Sequence, residues 1–278
     1  MEKDYKKLAN ELRKIVLGMT FRAQSSHIGS NFSVVDIMTI VYDIADFTPA
    51  HNGLTKDIVL PKSWTVATAY ACLVRRGLLL QEAIDDYGKE GTKWTTIAEP
   101  TEHNGLKVLP FSTGAMGYIL PAGVGFALAK KLNKEEGKVY CIISDGEMQI
   151  GATWEAALIA AHHKLNNLTL VVDWNGFCAM GKIKEILDVE PLADKWRSFN
   201  WHVINIDGHN HSEILRAIKG EPYVPKQEQS MPRVIIARTT KGYPISFMSN
   251  NNLYHYKHIS TSEFEQAMVE LDNGSFEK

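Results

Sequence analysis

Asp145 and Asn175 are the residues of this chain whose types and setting point most directly to chemistry. Asp145 lies in Ser144-Asp145-Gly146-Glu147 and Asn175 closes Asp173-Trp174-Asn175. Each follows an apolar run of strand character, 139–143 before the first and 168–172 before the second, and an alanine-rich helical stretch over about 150–164 separates them. A strand–helix–strand unit of this kind pairs its strands in parallel. A carboxylate and a carboxamide then emerge together at the C-terminal sheet edge, where open α/β folds bind ligands. Two hard oxygen donors suit Mg²⁺ or Ca²⁺, leaving positions for diphosphate oxygens, a backbone carbonyl and water. The pair reads as a clamp for a metal–diphosphate cofactor, although Asp-Gly after a strand is also ordinary turn chemistry.

Around this pair the sequence predicts alternating strands and helices. Leu8, Leu12, Ile15 and Met19 recur at helical spacing and mark an amphipathic first helix ending near Gln24. A polar loop containing His27 follows, and Ser33 with Asp36 reads as a capping box for a helix to about Ala45. A short strand at 58–60 stops at Pro61, with helices over 65–80 and 82–87 behind it. The stretch 91–110 has little periodicity and is expected to be a long ordered loop. Ser112-Thr113-Gly114-Ala115-Met116-Gly117 opens an apolar helix ending near Leu132, and its first backbone N–H groups could face an anion. Strands over 201–206 and 233–237 flank a helix capped by Ser212. The expected fold is a doubly wound, mainly parallel α/β sheet with helices on both faces.

With 278 residues, 45% hydrophobic and 22% charged, the chain can bury a substantial core in one domain spanning 1–278. A formal net charge of −2 gives no sign of a nucleic-acid or membrane partner. Three cysteines in no metal-ligand spacing, one in an expected buried strand, fit a reducing, cytoplasmic setting. No apolar run approaches membrane-spanning length.

Other residues with chemical potential sit in loops: His27, His103, His209 and His255 beside glycine or polar residues, and Lys62 and Lys241 near strand ends. Each alone reads as a turn histidine or a solvated cation. The expected topology brings the strand ends that carry Asp145, Asn175 and His209 to one edge.

Taken together these segments resemble the N-terminal, diphosphate-binding part of transketolase. Asp145-Gly146-Glu147…Asn175 is similar to the family's thiamine-diphosphate motif, and Gly151-Ala152-Thr153-Trp154-Glu155, Ser112-Thr113-Gly114, Asp207-Gly208-His209 and Thr240-Lys241-Gly242 are similar to its text. The resemblance runs from about Leu8 to His258. It implies thiamine diphosphate and Mg²⁺ (Ca²⁺ as the other hard cation), with Asp145, the Asn175 side chain and the Phe177 carbonyl on the metal. Gly114, Ala115 and Met116 would lie near the aminopyrimidine, and Lys62, Trp64, Gly146, Glu147, Lys241 and His255 around the rest of the cofactor. His27, His103 and His255 would serve a small sugar or carbonyl substrate, and Glu155 would belong to an acidic relay between two active sites.

The departures cluster around the substrate. Lys62-Ser63-Trp64 stands where the family has Lys-Gly-His, Ile150 where a glutamate is usual, and Ala179 where glutamine is usual. Exchanging histidine for tryptophan removes a proton-exchanging group and adds an apolar face, which implies specificity altered from ordinary ketose phosphates. The family's pyrimidine-binding domain has no counterpart in the sequence, so the resemblance implies a split enzyme. A second subunit would supply that domain, in a heterotetramer by family analogy. Two other readings remain: the alpha chain of a 2-oxo-acid dehydrogenase type enzyme, or a non-catalytic regulatory subunit that binds the cofactor.

Overall fold

The apolar strand runs pair with one another rather than with polar edges. In a computed structural model, which describes residues 3–220 and 225–274, they form a five-stranded sheet, parallel throughout. In chain order, α1 (Tyr5–Arg22) and α2 (Ile28–Ile44) precede β1 (Ile58–Leu60), and α3 (Val66–Arg75) and the single turn α4 (Glu82–Asp85) follow it. A hairpin of β2 (Thr101–His103) and β3 (Leu106–Leu109) leads to α5 (Ile119–Asn133), β4 (Val139–Ser144), α6 (Gly151–His162) and β5 (Leu168–Trp174). A small ribbon of β6 (Phe177–Cys178) and β7 (Gly181–Lys182), then α7 (Ile183–Ile186) and α8 (Leu192–Ser198), leads to β8 (His202–Asp207). The chain closes with α9 (His211–Lys219), β9 (Arg233–Arg238) and α10 (Thr261–Asn273).

Strand order is β1-β4-β5-β9-β8. Side chains alternate across a strand, and here both faces are covered. Tyr140 and Ile142 join one core with α1, α2, α3, α9 and α10, while Val139, Cys141 and Ile143 join the other with α5, α6 and α8. Two buried faces explain why the strands are continuously apolar instead of alternating. The chain steps outward from β1 through β4 and β5, goes to the edge at β8 and returns to β9. That reversal puts α9 on the face opposite α5 and α6.

Several boundaries differ from the expectation, each for a local reason. Helix α2 begins at Ile28, so Ser33 and Asp36 lie inside it and cap nothing; both are buried and bonded to other elements. The stretch 91–110 contains the β2–β3 hairpin, closed by Asn104 (φ 51°) and Gly105 (φ 78°), the two left-handed residues a tight hairpin turn requires. Helix α3 ends at Arg75, short of Leu80. Asn210, not Ser212, caps α9 by accepting the Ser212 and Glu213 N–H groups. Helix α10, beyond the expected elements, carries a true capping box of Ser260 and Glu263.

Candidate functional site

Five parallel strands end on one edge, and residues at the ends of β1, β4 and β5 help form a cavity of about 290 Å³. Lys62 comes from the turn after β1, Ser144 and Gly146 from the end of β4, and Phe177 and Cys178 from the ribbon after β5. His27 and Ser30 at the start of α2, Trp64, Met116 and His255 complete its walls.

The floor is a buried polar network centred on Asp173. This carboxylate is fully buried and ion-paired with Lys62, itself 3% exposed. Ser33 Oγ donates to Asp173 Oδ2 at 2.6 Å, Thr239 Oγ1 donates to Oδ1, and Asn175 Nδ2 lies 3.3 Å from Oδ2. Burial opposes its ionisation, but the Lys62 ammonium and the two hydroxyls outweigh that and hold the Asp173 carboxyl below the usual range. Asp173 and Asn175 are two apart on an extended chain, so their side chains share a face. Sequence reasoning found Asn175 and passed over Asp173, although that spacing was visible.

Asp145 is also fully buried, and among the described residues no cation forms an ion pair with it. Its Oδ1 accepts from Gly146 N at 3.0 Å and its Oδ2 from Gly176 N at 2.6 Å. Burial lifts its pKa to about 7; Lys62 acts in the opposite direction, and Asp173 adds to the rise. Asn175 Oδ1 accepts from Phe177 N at 3.1 Å, folding the chain so that β5 and β6 turn beside Asp145. A buried carboxylate without an ion-pair partner among the described residues, beside a carboxamide and a turning backbone, offers oxygen donors of the kind a hard divalent ion takes. The residues therefore fit a metal-bound diphosphate. Gly146 keeps the approach open: a Cβ there would stand 3.2 Å from Met116 Cε.

Glu147 is buried with Oε2 accepting from Gly117 N at 3.1 Å and Oε1 without a partner among the described residues; burial raises its pKa to about 7. Gly114 is packed so closely on Ile97 that a Cβ would lie 2.4 Å from Ile97 Cγ2. Ala115 and Met116 are exposed on the same loop.

The opposite wall is aromatic and cationic. His27 and Trp64 both adopt left-handed backbone, φ 69° and 64°, a conformation costing on the order of 1–2 kcal/mol for a residue with a Cβ. Their rings stack with centroids 4.9 Å apart, and His255 meets His27 edge-on at 4.7 Å. Burial, then Lys241 and Lys62, depress His27 to about 4. Burial, then Lys241 and His27, depress His255 to about 3. Lys241 is fully buried and lowered to about 8, by burial first and Lys62 second.

Two expected residues stand elsewhere. His103 ends β2 beside the hairpin turn, bonded to Asn104 Nδ2 at 3.1 Å, and does not line the cavity; the hairpin carries it out of the strand-end cluster. Glu155 is exposed on α6, because the helix turns its alanines inward and the glutamate outward. His209 also stays outside the cavity: it bonds Asp36 at 2.8 Å and accepts from Thr240 N at 2.8 Å, bracing the loop that carries Lys241. Asn31, Cys178 and Thr239 carry no motif, and Ser33 looks like a helix cap in the sequence; all four reach the site only through folding.

Fold and edge together define an α/β protein with a ligand-sized cavity at the C-terminal ends of parallel strands. A family model described as the thiamine diphosphate binding domain of transketolase matches residues 4–273, and the chain belongs to that family. It is 31% identical over 263 residues to an apulose-4-phosphate transketolase subunit of Phocaeicola vulgatus, covering 93% of this chain and 90% of that protein. It is 31% identical over 272 residues to the 6-deoxy-6-sulfo-D-fructose transketolase subunit SqwG of a Clostridium species, covering 97% and 96%. Human transketolase is 28% identical, with 96% of this chain matching only 42% of that protein. The crystal structure of Campylobacter jejuni transketolase shares the fold, with a TM-score of 0.85 at 23% identity, over 98% of this chain and 43% of that one. No described helix is long and apolar enough to cross a membrane.

Proposed function

We propose that this chain is the diphosphate-binding subunit of a split, transketolase-like transferase. It would move a two-carbon ketol, or a related acyl unit, between carbonyl or sugar substrates. The observation that carries this reading is the pattern of matches: this chain covers 90% and 96% of two relatives named as transketolase subunits, and 42% of human transketolase. The second chain would supply the pyrimidine-binding half, and the present chain would form one diphosphate-binding domain.

Exposed apolar side chains support such a partner. Tyr118 beside the cavity loop and Leu158 and Ile159 on α6 are 58%, 58% and 47% exposed, and Glu155 lies among the latter. A heterotetramer is the assembly we assign, with Glu155 at the contact between chains, and its setting is cytoplasmic.

Asp145, Asn175 and the Phe177 carbonyl would hold Mg²⁺, or Ca²⁺ in its place. Lys62 and Lys241 supply positive charge to the diphosphate side, and Gly114, Ala115 and Met116 border the ring. Thiamine diphosphate supplies an electron sink that makes a carbonyl carbon nucleophilic. Around it, His27 and His255 stay neutral at pH 7 and hydrogen-bond substrate oxygens. Trp64 offers an aromatic face where a hydroxyl would find no acceptor, which suits a carbonyl compound other than an ordinary ketose phosphate.

The test is reconstitution. Alone, with thiamine diphosphate and Mg²⁺, the chain is expected to show no ketol transfer; with a pyrimidine-binding partner it is expected to turn over. Robust transfer by the isolated chain would overturn the split reading.

A further inference from the structure

The stacked His27–Trp64 wall is held from behind by one residue. Asn31, fully buried in the first turn of α2, donates from Nδ2 to the His27 carbonyl at 3.0 Å and to the Trp64 carbonyl at 3.3 Å. Its Oδ1 accepts from the Thr68 hydroxyl at 2.9 Å and from Thr68 N at 3.3 Å. The carboxamide is thereby saturated, with two donors and two acceptor sites all engaged. The His27 carbonyl also receives the Ser30 and Asn31 N–H groups, and His27 N donates to the His255 carbonyl at 2.8 Å, so His27 is held without the Trp64 bond. The bond to Trp64 O is different: it crosses from α2 to the turn that carries Lys62, Ser63 and Trp64. Thr68, at the start of α3, fixes the amide orientation that makes the crossing possible.

Backbone left-handed at both His27 and Trp64 brings two rings face to face, 13° from parallel. Such conformations persist only where the surroundings over-determine them. An indole face has no lone pair for a hydroxyl, so a substrate hydroxyl pressed against it would lose its water and gain no partner. A carbon bearing hydrogen or a carbon branch loses nothing there.

We propose that Asn31 is a positioning residue for substrate selection: it pins Trp64 onto His27, and the resulting rigid aromatic wall favours a carbonyl substrate that is deoxygenated or carbon-branched where it meets the wall. The selection half of this inference rests on the transketolase-like reading above; the positioning half does not.

The experiment uses the full chain with Asn31→Ala, and with Thr68→Val as the milder variant should Asn31→Ala fail to fold. In ¹H–¹³C NMR, the ring protons of His27 are expected upfield in the wild type, shifted by the indole, relative to Trp64→Leu. Asn31→Ala is expected to lose most of that shift while still unfolding cooperatively and retaining thiamine diphosphate with Mg²⁺. In the reconstituted enzyme, with 2-deoxyribose 5-phosphate and ribose 5-phosphate as acceptors, the preference for the deoxy sugar is expected to fall roughly fivefold to tenfold, mostly through KM, the size of one lost positioning hydrogen bond. An unchanged ring shift in both variants overturns the positioning role. A lost shift with an unchanged acceptor preference overturns the selection role. If neither acceptor were turned over by the reconstituted wild type, the selection half would fall; the transketolase-like reading would fall only if no ketol transfer to any other aldehyde were seen, and the ring shift would still decide the positioning half.

Discussion

Lys241 Nζ lies 2.7 Å from His255 Nδ1. Lysine, lowered only to about 8, is still an ammonium at pH 7, and His255, depressed to about 3, is neutral. The ammonium can only donate, so Nδ1 accepts and the single ring proton of His255 sits on Nε2. His255 is thereby set as a hydrogen-bond donor beside the cavity it lines. A substrate oxygen reaching it meets an N–H, not a lone pair.

Removing that ammonium changes the histidine measurably. In Lys241→Met the pKa of His255 is expected to rise from about 3 toward its ordinary value, because the largest neighbouring charge is gone. Burial remains, so recovery is partial. An NMR titration reads this directly, and an unmoved His255 would show that the lysine does not govern it.

The two depressed histidines also set an acid limit on stability. Their folded pKa values of about 4 and 3 lie below the unfolded value of 6.5. The unfolded chain therefore binds more protons below pH 6.5, and the stability they contribute is present above 6.5 and lost as pH falls toward 4. His27→Gln is expected to flatten the fall of Tm between pH 6.5 and 4 by a few degrees, roughly the effect of 1 kcal/mol in a chain of this size. Identical slopes in wild type and variant would remove the linkage.

Lys62 and Asp173 are buried together, so breaking the pair leaves a bare charge. Lys62→Met is expected to cost about 3–5 kcal/mol in urea unfolding near neutral pH. Asp173 also holds Ser33, Thr239 and Asn175, so Asp173→Ala is expected to cost at least as much and to disorder the strand-end loops. A loss under about 1 kcal/mol in both variants would mean that water reaches the pair, as it does in surface ion pairs.

Asp145 is a buried carboxylate with no ion-pair partner among the described residues. Asp145→Asn is expected to stabilise the metal-free chain at pH 8, where burial of the charge is most costly, and to weaken thiamine diphosphate binding with Mg²⁺ by ~100-fold, about 2.7 kcal/mol. Calorimetric titration and a thermal melt of the same sample check both halves. Undiminished cofactor binding would remove Asp145 from the metal site.

Much of this was readable before folding. Continuous apolar runs marked the strands and period-3.6 spacing most helices, and the two oxygen-bearing residues after β4 and β5 pointed to the sheet edge because parallel strands end together. The misses follow from missing context. Ser33 and Asp36 look like a cap because capping residues and buried polar residues are the same types; only the Asp173 and Arg13 contacts tell them apart. The hairpin at 101–109 hid behind a weak alternation, although its Asn104-Gly105 turn was in plain view.

Sequence alone determined the strand–helix alternation, the edge on which Asp145 and Asn175 meet and the departures at Trp64, Ile150 and Ala179, since these depend on local pattern and residue type. Only the tertiary structure decided that Asp173 is the hub of the floor and that His103 and Glu155 lie outside the cavity. It also decided that Asn31 ties Trp64 to His27. Those facts depend on which distant segments come within hydrogen-bond range. Contact across long stretches of chain is set by packing of the whole core, and no local spacing encodes it.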